Sequence, residues 1–303
     1  MSTTSRKHLY HLMAIATIIV WGTTFVSTKV LINSGLSPIE IFLYRFVLAY
    51  IGIWLISPKQ YFAKTVKDEL LCVVAGLGAG SLYFMFENTA LKITLASNVS
   101  LIICTAPIFT AFLSYLVYRK DRLKSHLIIG SFIALFGVAL VVFNGSFILQ
   151  LSPLGDVLTI LAALSWAFYG IVLRKLNDKY STLFITRKVF FYGVITILPF
   201  IPFNAPVFHI SLLTNPMIIA NLAFLGIIAS LLCYIMWNSA VKELGVMQTS
   251  NYIYFVPLIT LLTSAIVIKE HITYIAILGS MFIIFGVYIA EKGFKLRLRK
   301  VIN

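Results

Sequence analysis

Charge is what this chain has least of. Asp, Glu, Lys and Arg supply 11% of its 303 residues, against 60% hydrophobic residues and a mean hydropathy of +0.97. Soluble domains carry roughly 25% charged residues, so folding alone would leave too much apolar surface in water. The bilayer is the expected solvent. Acidic side chains are scarcer than basic ones, 10 against 24, giving a formal net charge of +14. On a soluble chain that excess points to nucleic acid. Here the bases lie between apolar runs and in the C-terminal tail, as in cytoplasmic segments of membrane proteins, so no nucleic-acid partner is expected. Cysteine is nearly missing: Cys72, Cys104 and Cys233 sit in apolar runs without metal-ligand or thioredoxin spacing and read as packing residues. There is no Walker sequence, no HExxH pair and no soluble domain to couple ATP hydrolysis to movement. Enzyme chemistry, a cofactor and a metal site are therefore not expected. The first apolar run follows Arg6 and Lys7 but has no clear small-residue cleavage site, which predicts a retained helix rather than a signal peptide.

What the chain has in abundance is apolar runs long enough to cross about 30 Å of hydrocarbon, which takes about 20 helical residues. Ten are predicted, near 9 to 30, 39 to 57, 70 to 91, 95 to 118, 126 to 145, 154 to 173, 183 to 201, 217 to 240, 247 to 268 and 272 to 291. With ten crossings, the basic clusters fall on one side: Arg6 and Lys7; Lys59, Lys64 and Lys67; Arg119, Lys120, Arg122 and Lys124; Arg174, Lys175 and Lys179; Lys242; and the tail from Lys292 to Lys300. The connections at 31 to 38, 146 to 153 and 202 to 216 contain no Lys or Arg. The positive-inside rule then places both termini in the cytoplasm.

The two halves also resemble each other. At a shift of 150 residues Gly76 meets Gly226, Ala79 meets Ala229, Asn88 meets Asn238, Ser100 meets Ser250 and Pro107 meets Pro257. After a one-residue deletion Gly130 meets Gly279 and Gly137 meets Gly286. Repeats of five helices enter the bilayer from opposite sides, so the expected fold is an all-α membrane protein of ten transmembrane helices in two inverted five-helix repeats, residues 1–147 and 148–303. Inverted repeats that exchange conformations convert an inward-facing cavity into an outward-facing one. The expected function is a secondary transporter working by alternating access. A gated channel or facilitative pore and a non-transporting scaffold are the alternatives.

The segments WGTTFVSTK (Trp21 to Lys29), SPIEIFLYRF (Ser37 to Phe46), ALKITLASNVSLIICTAPIFTAFLSYLVYRKDRL (Ala90 to Leu123) and AVKELGVMQTSNYIYFVPLITLLTSAIVIKEHI (Ala240 to Ile272) resemble those of the drug/metabolite transporter superfamily, specifically its EamA-type members. The resemblance spans nearly the whole chain. It implies ten helices, an inner or plasma membrane location in a prokaryotic cell, and carriage of amino acids or other small organic metabolites, often outward. Glu270 matches the acidic residue common after the ninth helix of the family, with Asp121 in its place in the first copy.

Polar and aromatic groups inside apolar helices have two readings, cavity lining or packing and hydrogen bonding between helices. The candidates for a substrate cavity are Trp21, Thr24, Tyr83, Asn98, Trp166, Tyr169, Tyr234, Asn238, Asn251 and Tyr252. Pro107 and Pro257 remove backbone donors and are candidates for bending or gating. Arg45 and Arg187, at comparable places in the second helix of each repeat, read first as gating or structural ion-pair residues and second as substrate contacts; Glu270 joins them. The charged residues fall near the predicted helix ends, where snorkelling is open to most of them, with Glu87 as the exception to watch. Substrate, coupled ion, direction and oligomeric state are not legible.

Overall fold

The computed structural model describes residues 3–57, 60–94, 96–118, 125–143, 152–201, 210–267 and 273–292. Among the described residues the chain is helical, and its apolar segments number ten. We label them α1 (Thr3–Asn33), α2 (Pro38–Ile56), α3 (Val66–Ile93), α4 (Ala96–Ile103 and Ala106–Val117), α5 (Ser125–Phe143), α6 (Pro153–Asn177), α7 (Thr182–Phe200), α8 (Pro216–Leu244), α9 (Val246–Ser250, Asn251–Phe255 and Val256–Val267) and α10 (Tyr274–Lys292). Seven of the segments are long and apolar enough to cross a membrane outright, and α5 and α10 are shorter apolar helices.

The starts of the helices are written in short polar residues. Ser37 caps α2 in a reciprocal box: its hydroxyl accepts from the Glu40 amide at 3.2 Å, and the Glu40 carboxylate accepts from the Ser37 amide at 2.7 Å. Thr65 caps α3, Ser181 caps α7 and Asn215 caps α8 in the simpler one-way form. Such caps satisfy amides that have no partner in the first turn. Between α8 and α9 the chain reverses on a single residue, Gly245, whose φ of 90° is open to glycine and strained for others.

Antiparallel packing of α5 on α10 relates the two halves. A Cβ on Gly137 would lie 2.5 Å from the Gly279 carbonyl oxygen, and one on Gly279 would lie 2.7 Å from the Gly137 carbonyl oxygen. Gly130 and Gly286 face each other in the same reciprocal way about two turns further along. The glycines paired by the repeat are thus the ones that let the two backbones touch, as small residues do between membrane helices. Other contacts come as mates. Gly76 of α3 packs on Tyr192 and Gly193 of α7, while Gly226 of α8 packs on Leu48 and the Arg45 carbonyl of α2.

The irregular turns are mates as well. Both α3 and α8 contain π turns, at Leu77–Ser81 and Phe224–Leu232, and the first range falls within the second at the 150-residue shift. The fourth helix breaks at Cys104 and Thr105, just before Pro107, and α9 tightens into a 3-10 turn at Asn251–Phe255, just before Pro257. Proline has no N–H to continue the ladder, so the break falls ahead of it.

Candidate functional site

These distortions converge on one cavity in the centre of the bundle. On α1, Trp21, Thr24 and Phe25 share a face by their spacing of three and four. Tyr83 and Glu87 do the same on α3, where the π turn upstream resets which side chains face inward. Ile103 and Ala106 arrive from either side of the break in α4, and Ile253 and Val256 from the 3-10 turn and restart of α9. Trp166 of α6 and Tyr234 of α8 complete the wall.

Trp21 is the hub of an aromatic cluster. Its ring meets Trp166 edge-on at 5.2 Å, Trp237 at 5.1 Å and Tyr234 at 5.9 Å, within the range where aromatic pairs attract. The polar ends of these rings close the backbone opened by the π turns. The Trp21 indole donates to the Ala229 carbonyl at 2.9 Å, and the Tyr234 hydroxyl donates to the Ala79 carbonyl at 2.6 Å. Ala79 and Ala229 are repeat mates. Each distorted helix is therefore stitched from another helix across the cavity, which offsets the cost of carbonyls turned out of the helical ladder.

Two charged side chains face this apolar room. Arg45, 4% exposed, donates from Nε to the Ser230 hydroxyl at 2.5 Å and lays its guanidinium over the Phe84 ring at 4.2 Å. Glu87, 7% exposed, accepts from the Tyr83 hydroxyl at 2.8 Å. The free volume between the walls is about 50 Å³, room for a few waters and too little for an amino acid. A second cavity of about 450 Å³ lies where α6 and α8 end and α9 begins, on the basic face, among His126, Arg174, Asn177, Lys242, Gln248 and Asn251. The 3-10 turn of α9 stands between them: Asn251 lines the larger cavity and Ile253 the smaller.

Of the cavity candidates, Trp21, Thr24, Tyr83, Trp166 and Tyr234 line the central cavity. Tyr169 and Asn238 do not. They are buried behind it, with the tyrosine hydroxyl donating to Asn238 at 2.5 Å and the asparagine amide donating to Thr186 at 2.9 Å, so α6, α7 and α8 are tied together. Asn251 lines the larger cavity instead, and Tyr252 bonds the His11 ring at 2.6 Å. The side chain of Asn98 and all of Glu270 lie outside the described residues. Arg45 lies within the helix rather than near its end, contrary to the reading from charge position, while Arg187 donates to the Gln60 carbonyl at the basic face. The apolar lining by Phe25, Phe84, Ile103, Ala106, Ile253 and Val256 gave no signal separable from ordinary packing.

On the basic face the two halves are joined by a polar cluster. Lys188 of α7 pairs with Glu69 of α3, which also accepts from the Tyr192 hydroxyl and the Ala63 amide. Asp68 accepts from Lys179 at 2.7 Å and from the Tyr180 hydroxyl at 3.0 Å. Its carboxylate holds the Lys179 ammonium above the usual lysine range. No group of three or more His, Cys, Asp or Glu that could hold a metal occurs among the described residues.

The EamA-like transporter family matches residues 8–143 and again 153–291, and the chain belongs to that family. An uncharacterized transporter of Archaeoglobus fulgidus is 28% identical, over 92% of this chain and 96% of its own length. A probable amino-acid metabolite efflux pump of Escherichia coli is 26% identical, over 96% of this chain and 97% of that one. A probable terminal-alkyne amino-acid exporter of Streptantibioticus cattleyicolor is 23% identical, over 92% of each. A solved crystal structure of a protein shares the fold with a TM-score of 0.73 at 16% identity, covering 97% of this chain and 98% of the other. This is a multi-pass membrane protein of a transporter family.

Proposed function

We propose that the protein is a secondary carrier that moves a small organic metabolite, an amino acid or a related compound, out of the cell by alternating access through the central cavity. The observation that carries this reading is the cavity itself, set among paired helix breaks at repeat-related positions. Paired hinges supply what alternating access needs: the same bend available to either half, so that closing one side accompanies opening the other. The repeats are residues 1–147 and 148–303, and the reciprocal glycine seam between α5 and α10 lies where they meet.

The basic face is taken as cytoplasmic because Lys and Arg concentrate there, which puts both termini in the cytoplasm of a prokaryotic cell and the helices in its inner or plasma membrane. The larger cavity then faces the cytoplasm while the central one is collapsed, an arrangement in which solute is drawn from inside. The names of the Escherichia coli and Streptantibioticus relatives support an amino-acid-related solute and outward movement.

Counterflow tests the reading. Proteoliposomes preloaded with a mixed metabolite pool should take up labelled members of that pool against a falling outside concentration, saturably and with strong temperature dependence. Unitary conductance steps without counterflow would identify a pore and overturn the proposal.

A further inference from the structure

We infer that the central cavity, too narrow for solute in this structure and widened when the transport cycle opens it, is a two-pole site for a zwitterion, in which Arg45 takes the carboxylate, Glu87 takes the ammonium, and the Trp21, Trp166 and Tyr234 rings take an apolar or aromatic side chain. The inference rests on the carrier reading above and names the chemistry of its solute.

It starts from a cost. A guanidinium and a carboxylate inside an apolar bundle are each expensive to hold away from water. Their direct contact would offset much of that cost. Yet among the described residues Arg45 and Glu87 are not within ion-pair distance, although each sits in the other's field across the cavity. Each is instead held by one neutral neighbour: Ser230 accepts from Arg45 Nε, and Tyr83 donates to Glu87 Oε1. The terminal guanidinium nitrogens and Glu87 Oε2 make no hydrogen bond among the described residues. Arg45 is further oriented by stacking over Phe84. Two opposite charges are thus held apart, each with bonding capacity left over, on the wall of one chamber.

The ligand that completes both poles carries one negative and one positive group. A simple anion would satisfy Arg45 and repel from Glu87, and a simple amine would do the reverse, so a net-neutral zwitterion is the match in charge. Apart from Thr24, whose hydroxyl donates to the Trp21 carbonyl at 2.7 Å, the remaining wall is aromatic and aliphatic, which suits an apolar side chain and has no partner for a second charge. Both poles come from the first repeat. The repeat mate of Glu87 is Trp237, and Arg187 is engaged at the basic face, so the second repeat lends mainly rings. The duplication has become polar on one side and apolar on the other.

The experiment uses the full-length protein in proteoliposomes. L-leucine and L-phenylalanine are each compared as counterflow competitors with the amine lacking the carboxylate and the acid lacking the amine. A mixed metabolite pool serves as the carrier control. The amino acids should compete at least about 30-fold more strongly than either single-pole analogue, the scale expected when a buried charge loses its partner. Glu87→Gln should weaken the amino acid by a similar factor while sparing the acid analogue, and Arg45→Gln should spare the amine analogue. Melting temperature and abundance of each variant separate binding from folding, and the wild-type competitor panel decides the matter even where a variant fails to fold. Single-pole analogues competing as well as the amino acids, or folded variants that keep full affinity for them, would overturn the two-pole site. If pool members exchange but the amino acids do not compete, the two-pole site falls and the carrier stands. If no pool member exchanges, the carrier reading falls and takes the site with it.

Discussion

Replacing Gly137 by alanine is expected to cost about 3 kcal/mol of stability and to lower the amount of folded protein in the membrane sharply, because the added methyl has nowhere to go. It would sit 2.5 Å from the Gly279 carbonyl oxygen and 2.6 Å from the Ile283 amide nitrogen, and both obstacles are backbone. A side chain can swing aside; a helix must shift whole. Gly279→Ala meets the same seam from the other side, at 2.7 Å from the Gly137 oxygen. Once α5 and α10 have been forced apart by one methyl, the second intrudes less, so the double variant should cost well under the sum of the singles. Melting of the detergent-purified single and double variants checks both statements. Additive effects would mean that the two glycines do not share one contact.

Replacing Glu69 by glutamine is expected to cost about 3 kcal/mol, the lower end of the range for stranding one member of a buried ion pair. Lys188 is the reason: its side chain is 5% exposed, against 19% for Glu69, so the cation left behind has little water to turn to. The same carboxylate also accepts from Tyr192 and from the Ala63 amide, bonds that a glutamine keeps only in part. Removing both charges with Glu69→Gln and Lys188→Met should recover much of the loss, since the penalty lies in the unpaired charge rather than in the missing attraction. A double variant no more stable than Glu69→Gln alone would contradict this. Asp68 with Lys179, whose side chain is 54% exposed, should matter far less when broken.

The sequence carried the frame of this molecule because the frame depends on period and spacing. Ten apolar runs and the glycines at 130, 137, 279 and 286 are one-dimensional features, and each has a direct structural counterpart in the helices and in the α5–α10 seam. The prolines at 107 and 257 likewise marked where α4 and α9 break. What was not legible depends on rotation about helix axes. Tyr169 and Asn238 lie on the same helices as Trp166 and Tyr234, yet they turn to each other behind the cavity. A π turn of nine residues in α8 changes which face points inward, and nothing in the string FLGIIASLL announces it. Arg45 and Glu87 were visible as charges in apolar runs, but facing the same chamber is a property of packing. The basic-face cluster was hidden for a similar reason: Lys179 had been used to orient the chain, and the acidic partners of Lys179 and Lys188 on α3 lie more than a hundred residues away.

Alternating access makes its sharpest demand at Thr24, which lines the collapsed central cavity. In a counterflow-competent background with Cys72, Cys104 and Cys233 replaced, a single Thr24→Cys variant should react with a membrane-impermeant thiol reagent from either side of the membrane. Saturating transported solute should shift the balance between the two sides and slow both reactions. Reaction from one side only, whatever solute is present on either side, would contradict the account.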